Sequence, residues 1–118
     1  MQFKEIDQLR EKIEQILHDN KAVEVQSINL KGKTSIADFM IIASGNSSKH
    51  IHAMSEILLE KLKKIGVKNC HLEGRSSSEW KLIDAADIIV HIFHPEKRKF
   101  YDLERMWSEL MPKERLMI

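Results

Sequence analysis

A chain of 118 residues, 42% hydrophobic and 31% charged, has the size and make-up of one globular domain, enough to bury roughly two thirds of its unfolded surface. Nineteen Lys and Arg against eighteen Asp and Glu leave a formal charge of +1, which argues against coating a phosphate backbone, since that takes a clearer basic excess. The lone Cys70 excludes an internal disulfide and fits a reducing compartment, and no apolar run approaches the ~18–20 residues of a membrane span.

The opening stretch, MQFKEIDQLREKIEQIL, lacks the apolar core of a signal peptide and is too acidic for an organellar transit peptide, so the cytoplasm is the expected compartment. Within residues 3–19, Ile6, Leu9, Ile13, Ile16 and Leu17 recur at helical spacing and predict an amphipathic helix. AVEVQSINLKG, β-branched and partly alternating, reads as a strand ending at Gly32. A second strand is expected from about Asp38 to Ser44; its apolar residues are consecutive, so both of its faces should be covered.

Ser47 or Ser48 can cap the next helix, which runs to about Ile65 with Ile51, Met54, Ser55, Leu58, Leu62 and Ile65 as its stripe. Gly66 supplies the stop. VKNCHLEG, EWKLIDA and DIIVHIF are three further strands, and the short Asp84–Asp87 junction makes the last two a hairpin. After Pro95, residues Phe100, Leu103, Trp107 and Leu110 repeat at three and four, predicting a last helix over about 97–110 and a short tail from about residue 111. The order α-β-β-α-β-β-β-α implies an α/β fold with one mixed five-stranded sheet flanked by helices, a single domain over residues 1–118.

The run IIASGNSS places Ser44-Gly45 between a buried strand and a helix N-terminus, where free amides and the helix dipole favour an anion. A nucleotide-binding or nucleotidyltransferase-like enzyme would use such a turn. It would also need an Asp-x-Asp pair for magnesium, and the following helix offers only Glu56 and Glu60. A plain turn and cap is the simpler reading.

His50 and His52 lie two apart on a helix and point in different directions, and His91 and His94 fall on opposite faces of an extended strand. No Cys-x-x-Cys or His-Glu-x-x-His occurs, so no metal centre is expected. His91, inside IIVHIF, should be half-buried and hydrogen-bonded. Cys70 reads as a small buried filler. Asp38, Asp84 and Asp87 fall at strand ends as turn and cap residues. Trp80, after a serine loop, and Tyr101, on a helix flank beside Glu104, have the surroundings of interface anchors. Trp107 lies on the apolar stripe of the last helix.

The segments SIADFMIIASGNSSKHIHAMSEIL, EGRSSSEWKLIDAADIIVHIF and YDLERMW, in this order over nearly the whole chain, resemble the ribosomal silencing factor family, also called Iojap-like. The resemblance implies a nucleotidyltransferase-like fold that lacks catalytic carboxylates, with no enzymatic activity and no cofactor. It also implies binding to the large ribosomal subunit through its ribosomal protein number fourteen, where a bound factor blocks subunit joining and represses translation when nutrients are scarce. By motif position the contacts would come from Trp80, Leu82 and Asp84, and from Tyr101, Glu104 and Trp107. No direct sequence-specific contact with nucleic acid is expected. A homodimer off the ribosome is a further expectation, from pairing of the same apolar surface.

Overall fold

The computed structural model describes residues 3–101. Its elements are α1 (Phe3–Asp19), β1 (Val23–Asn29), β2 (Phe39–Ser44), α2 (Ser48–Lys64), β3 (Cys70–Glu73), β4 (Trp80–Ala85), β5 (Ile88–Phe93) and α3 (Pro95–Tyr101). The strands form one sheet in the order β1-β2-β5-β4-β3. Only the β2–β5 pair is parallel; β1–β2, β4–β5 and β3–β4 are antiparallel. The expected mixed five-stranded sheet and its element order are therefore present. The predicted helix over 97–110 instead begins at Pro95, whose missing N–H and fixed φ suit a first turn. Its stretch beyond Tyr101, with Leu103, Glu104, Trp107, Leu110 and the tail from 111, lies outside the described residues.

Side-chain parity divides the sheet into two faces. On the first, Phe39, Ile41 and Ala43 of β2, Ile88, Val90 and Ile92 of β5, Ile83 and Ala85 of β4, and Cys70 of β3 join the main core. α1 adds Ile6, Leu9, Ile13, Ile16 and Leu17, all five residues of its predicted stripe, and α2 adds Ile51, Met54, Leu58, Leu59 and Leu62. The α2 stripe needs one correction. Ile65 is 51% exposed, because the helix ends at Lys64 and Gly66, at φ 91°, turns the chain away. Leu59, absent from the expected stripe, is buried instead.

All six residues of β2 are buried, as its unbroken apolar run requires. Ser47 is the N-cap of α2, its Oγ accepting from the His50 amide at 3.1 Å. β4 and β5 join through Ala86-Asp87, with Ala85 opposite Ile88. Ala86 carries φ 57° at the first central position, where tight hairpin turns require a positive value.

Candidate functional site

The second face of the sheet is built from the alternate residues of the same strands. Register places Ile42, His91, Leu82 and Glu73 in one row, with Met40, Ile89, Asp84 and His71 in the next. Ser44, Phe93 and Trp80 form a third row at one end. Leu30, Met40, Ile42 and Phe93 are buried here as a small second cluster against which Trp80 packs. Further along, Trp80, Leu82, Ile89 and His91 are each half-buried, and Asp84 is exposed. Neither α1 nor α2 contributes to the cluster on this side. The result is an aromatic and aliphatic patch with carboxylates at its margin, the composition of a protein-docking surface.

Local chemistry fixes the centre of the patch. The Trp80 indole Nε1–H donates to His91 Nδ1 at 3.1 Å, which leaves the other imidazole nitrogen to carry the ring's proton in the neutral form. His91 stacks on Phe93 with centroids 5.7 Å apart and planes 9° apart. Burial lowers the His91 pKa to about 4, because a charged ring would lose its hydration. His91 is therefore a neutral acceptor at physiological pH, half-buried and hydrogen-bonded as its place in IIVHIF suggested.

The loop before β4 completes the support of Trp80. Gly74 has φ +80°, and a Cβ there would come within 2.8 Å of the Trp80 carbonyl oxygen and 3.2 Å of its ring atom Cε3. Glycine is thus required both by conformation and by the close approach of the ring. Ser77 Oγ accepts from the amides of Glu79 and Trp80 at 3.2 Å each. At the end of β2, Arg98 of α3 donates to Ser44 Oγ at 2.9 Å and to the Val23 carbonyl at 3.3 Å, anchoring the start of α3 to both β1 and β2.

Trp80, Leu82 and Asp84 share this face, so three of the six expected contact residues are brought together by β4 alone. Tyr101 is the last residue of the described α3; Glu104 and Trp107 lie outside the described residues. Asp84 is not the turn residue its sequence position suggested. It lies within β4, opposite Ile89 and His71, while the turn falls to Ala86-Asp87. Asp87 serves through its backbone, its carbonyl accepting from the Asp38 and Phe39 amides at 2.7 and 3.3 Å.

The Ser44-Gly45 turn has its polar groups engaged. The Gly45 amide donates to the Phe93 carbonyl at 3.0 Å and the Asn46 amide to His50 Nδ1 at 2.9 Å. His50 Nε2 reaches the Asn20 carbonyl at 2.7 Å, tying this loop to the end of α1. A Cβ on Gly45 would meet Ile51 Cγ1 at 2.7 Å, so the glycine serves close packing of strand against helix. Among the described residues no three His, Cys, Asp or Glu gather in a metal-ligating group. Cys70 is buried, and burial pushes its thiol pKa up.

Two supports were missed in the sequence: the Trp80–His91 bond and Lys81, which is 2% exposed. A signal for the second existed. In EWKLIDA, Lys81 shares the parity of Ile83 and Ala85, so a core-facing β4 had to accommodate an ammonium.

A family model described as "Ribosomal silencing factor during starvation" matches residues 3–117. The chain is 48% identical over 92 residues to a ribosomal silencing factor of Zymomonas mobilis, covering 78% of this chain and 69% of that one. The crystal structure of a Chromobacterium violaceum protein superposes with a TM-score of 0.80 at 34% identity, over 92% of this chain and 88% of that one. A mouse protein named for mitochondrial assembly of the ribosomal large subunit is 27% identical over 96 residues, 79% of this chain and 42% of its own.

Proposed function

The chain belongs to the ribosomal silencing factor family, and on that premise we propose that it docks on the large ribosomal subunit and keeps the small subunit from joining. The partner we assign is ribosomal protein number fourteen. The observation that carries the reading is the half-buried Trp80, Leu82 and Ile89 patch, which leaves apolar area for a partner to cover. Trp80 is the central anchor, held by His91. Asp84 at the margin would attract the Lys and Arg of a basic ribosomal protein and steer association. Tyr101, Glu104 and Trp107 are the remaining residues we assign to the contact, on the motif positions they occupy.

The mechanism is steric exclusion and not catalysis. A body of this size measures on the order of 30 Å across, comparable to a 20-residue helix, and would fill space at the subunit interface that the small subunit needs. A few buried anchors suffice for affinity. Tight docking at one protein patch also accounts for the near-neutral charge of +1, since phosphate contacts would not dominate. The mouse relative, named for large-subunit assembly, supports the choice of subunit. We propose the cytoplasm as the working compartment.

A joining assay tests this directly. Purified large and small subunits, mixed with stoichiometric protein, should yield fewer joined ribosomes on a sucrose gradient. Trp80→Ala and Tyr101→Ala should restore joining with circular dichroism unchanged. Normal joining in excess wild-type protein would overturn the reading.

A further inference from the structure

Lys81 is the one charged side chain of β4 that points to the helix-covered face, and it is only 2% exposed. An ammonium so placed is costly unless each of its three donors is met. They are met here by backbone alone. Nζ lies 2.8 Å from the Gly74 carbonyl, 2.7 Å from that of Arg75 and 2.6 Å from that of Ser77. All three oxygens belong to the single loop between β3 and β4, which closes on itself through the Ser77 amide to Gly74 carbonyl bond at 2.9 Å. Burial draws the Lys81 pKa below its ordinary value, and the Glu56 carboxylate partly offsets this.

The same loop holds Trp80. Gly74, whose carbonyl takes one ammonium proton, lies against the indole ring. Ser77, whose carbonyl takes another, bonds the Trp80 amide through its hydroxyl. Lys81 is also the next residue after Trp80, on the opposite face of the strand. The ammonium thus gathers from inside the sheet the loop that supports the indole outside it.

We infer that Lys81 is a positioning residue for the docking face, its ammonium holding three carbonyls of one loop together. It presets the Gly74–Ser77 loop so that Trp80 meets its partner already in its bound orientation. This rests on the docking reading above. Its physical content is preorganisation, because a side chain ordered before binding forfeits less entropy on binding.

The test uses the full chain. Lys81→Met keeps an unbranched side chain as far as Cε and removes the charge and donors of Nζ. It should weaken large-subunit affinity roughly three- to tenfold, the scale of re-ordering a side chain and its loop. It should also speed solvent exchange of the Trp80 indole N–H in NMR spectra, with far-ultraviolet circular dichroism unchanged. In Lys81→Ala, added propylammonium should restore both slow exchange and affinity, whereas 1-propanol, of the same shape without the charge, should not. A Lys81→Met protein that melts earlier yet keeps wild-type indole exchange and affinity would overturn the inference. If neither variant folds, the wild-type protein still decides: slow solvent exchange of the Trp80 indole N–H in the free chain supports the inference, and exchange as fast as that of a fully exposed indole overturns it. Trp80→Ala runs alongside. Wild-type affinity in Trp80→Ala defeats the docking reading itself, whereas weakened binding there with normal behaviour in Lys81→Met defeats only the role given to Lys81.

Discussion

Under α1 and α2, Ile41, Ile83, Val90 and Ile92 are at 0% exposure, while one pleat away Trp80, Leu82, Ile89 and His91 stay half-buried. β4 and β5 supply residues to both sets, and β2 adds Ile41 to the first. The first face is closed by aliphatic side chains of two amphipathic helices and carries most of the hydrophobic stabilisation. The second has a buried end around Leu30, Met40, Ile42 and Phe93 and an open remainder whose ring nitrogens bond one another. One closed and one half-open face put most of the hydrophobic stabilisation on one side of the sheet and leave apolar area uncovered on the other.

Four experiments test the two faces against each other. The largest effect is expected on the closed face. Leu58→Ala, at a fully buried site, should cost roughly 3–5 kcal/mol in urea unfolding. A loss under 1 kcal/mol would mean that the α2 face is not the main core.

Next comes acid, acting through His91. Its folded pKa of about 4 lies below the unfolded value of 6.5. Stability from keeping this ring neutral is therefore complete above about pH 6.5 and is lost as pH falls toward 4. The loss amounts to up to about 3 kcal/mol, and His91→Gln should flatten that part of a stability–pH curve. An unchanged slope in the variant would place the titration elsewhere.

Trp80→Ala is expected to act mainly on binding, weakening large-subunit co-sedimentation on the order of thirtyfold as an anchor does, about 2 kcal/mol. An equal loss of helicity would move Trp80 into the core and erase the contrast. Ser47→Ala removes only a helix cap, so about 1 kcal/mol of stability should go with subunit affinity unchanged. A parallel fall in affinity would link the α2 terminus to the docking face.

Most elements were legible because local burial leaves a period in the sequence. All five stripe residues of α1 are in the core, the unbroken apolar run of β2 is buried on both sides, and the Asp84–Asp87 junction closes a hairpin. Errors came where a residue's role depended on an end or a turn. Ile65 lies beyond the helix terminus, and Asp84 lies inside a strand whose turn begins two residues later. Of the expected contact residues, Trp80, Leu82 and Asp84 alternate along one strand, so their common face follows from the period of two.

What the sequence determined by itself is therefore the identity and order of the elements, since 3.6-residue and two-residue periods are properties of consecutive positions. Tertiary structure alone decided which face the helices cover. It also paired Trp80 with His91, eleven residues away, and wrapped the loop's carbonyls around Lys81. Those outcomes depend on strand order, register and loop closure, which bring distant residues into hydrogen-bonding range and leave no periodic trace along the chain.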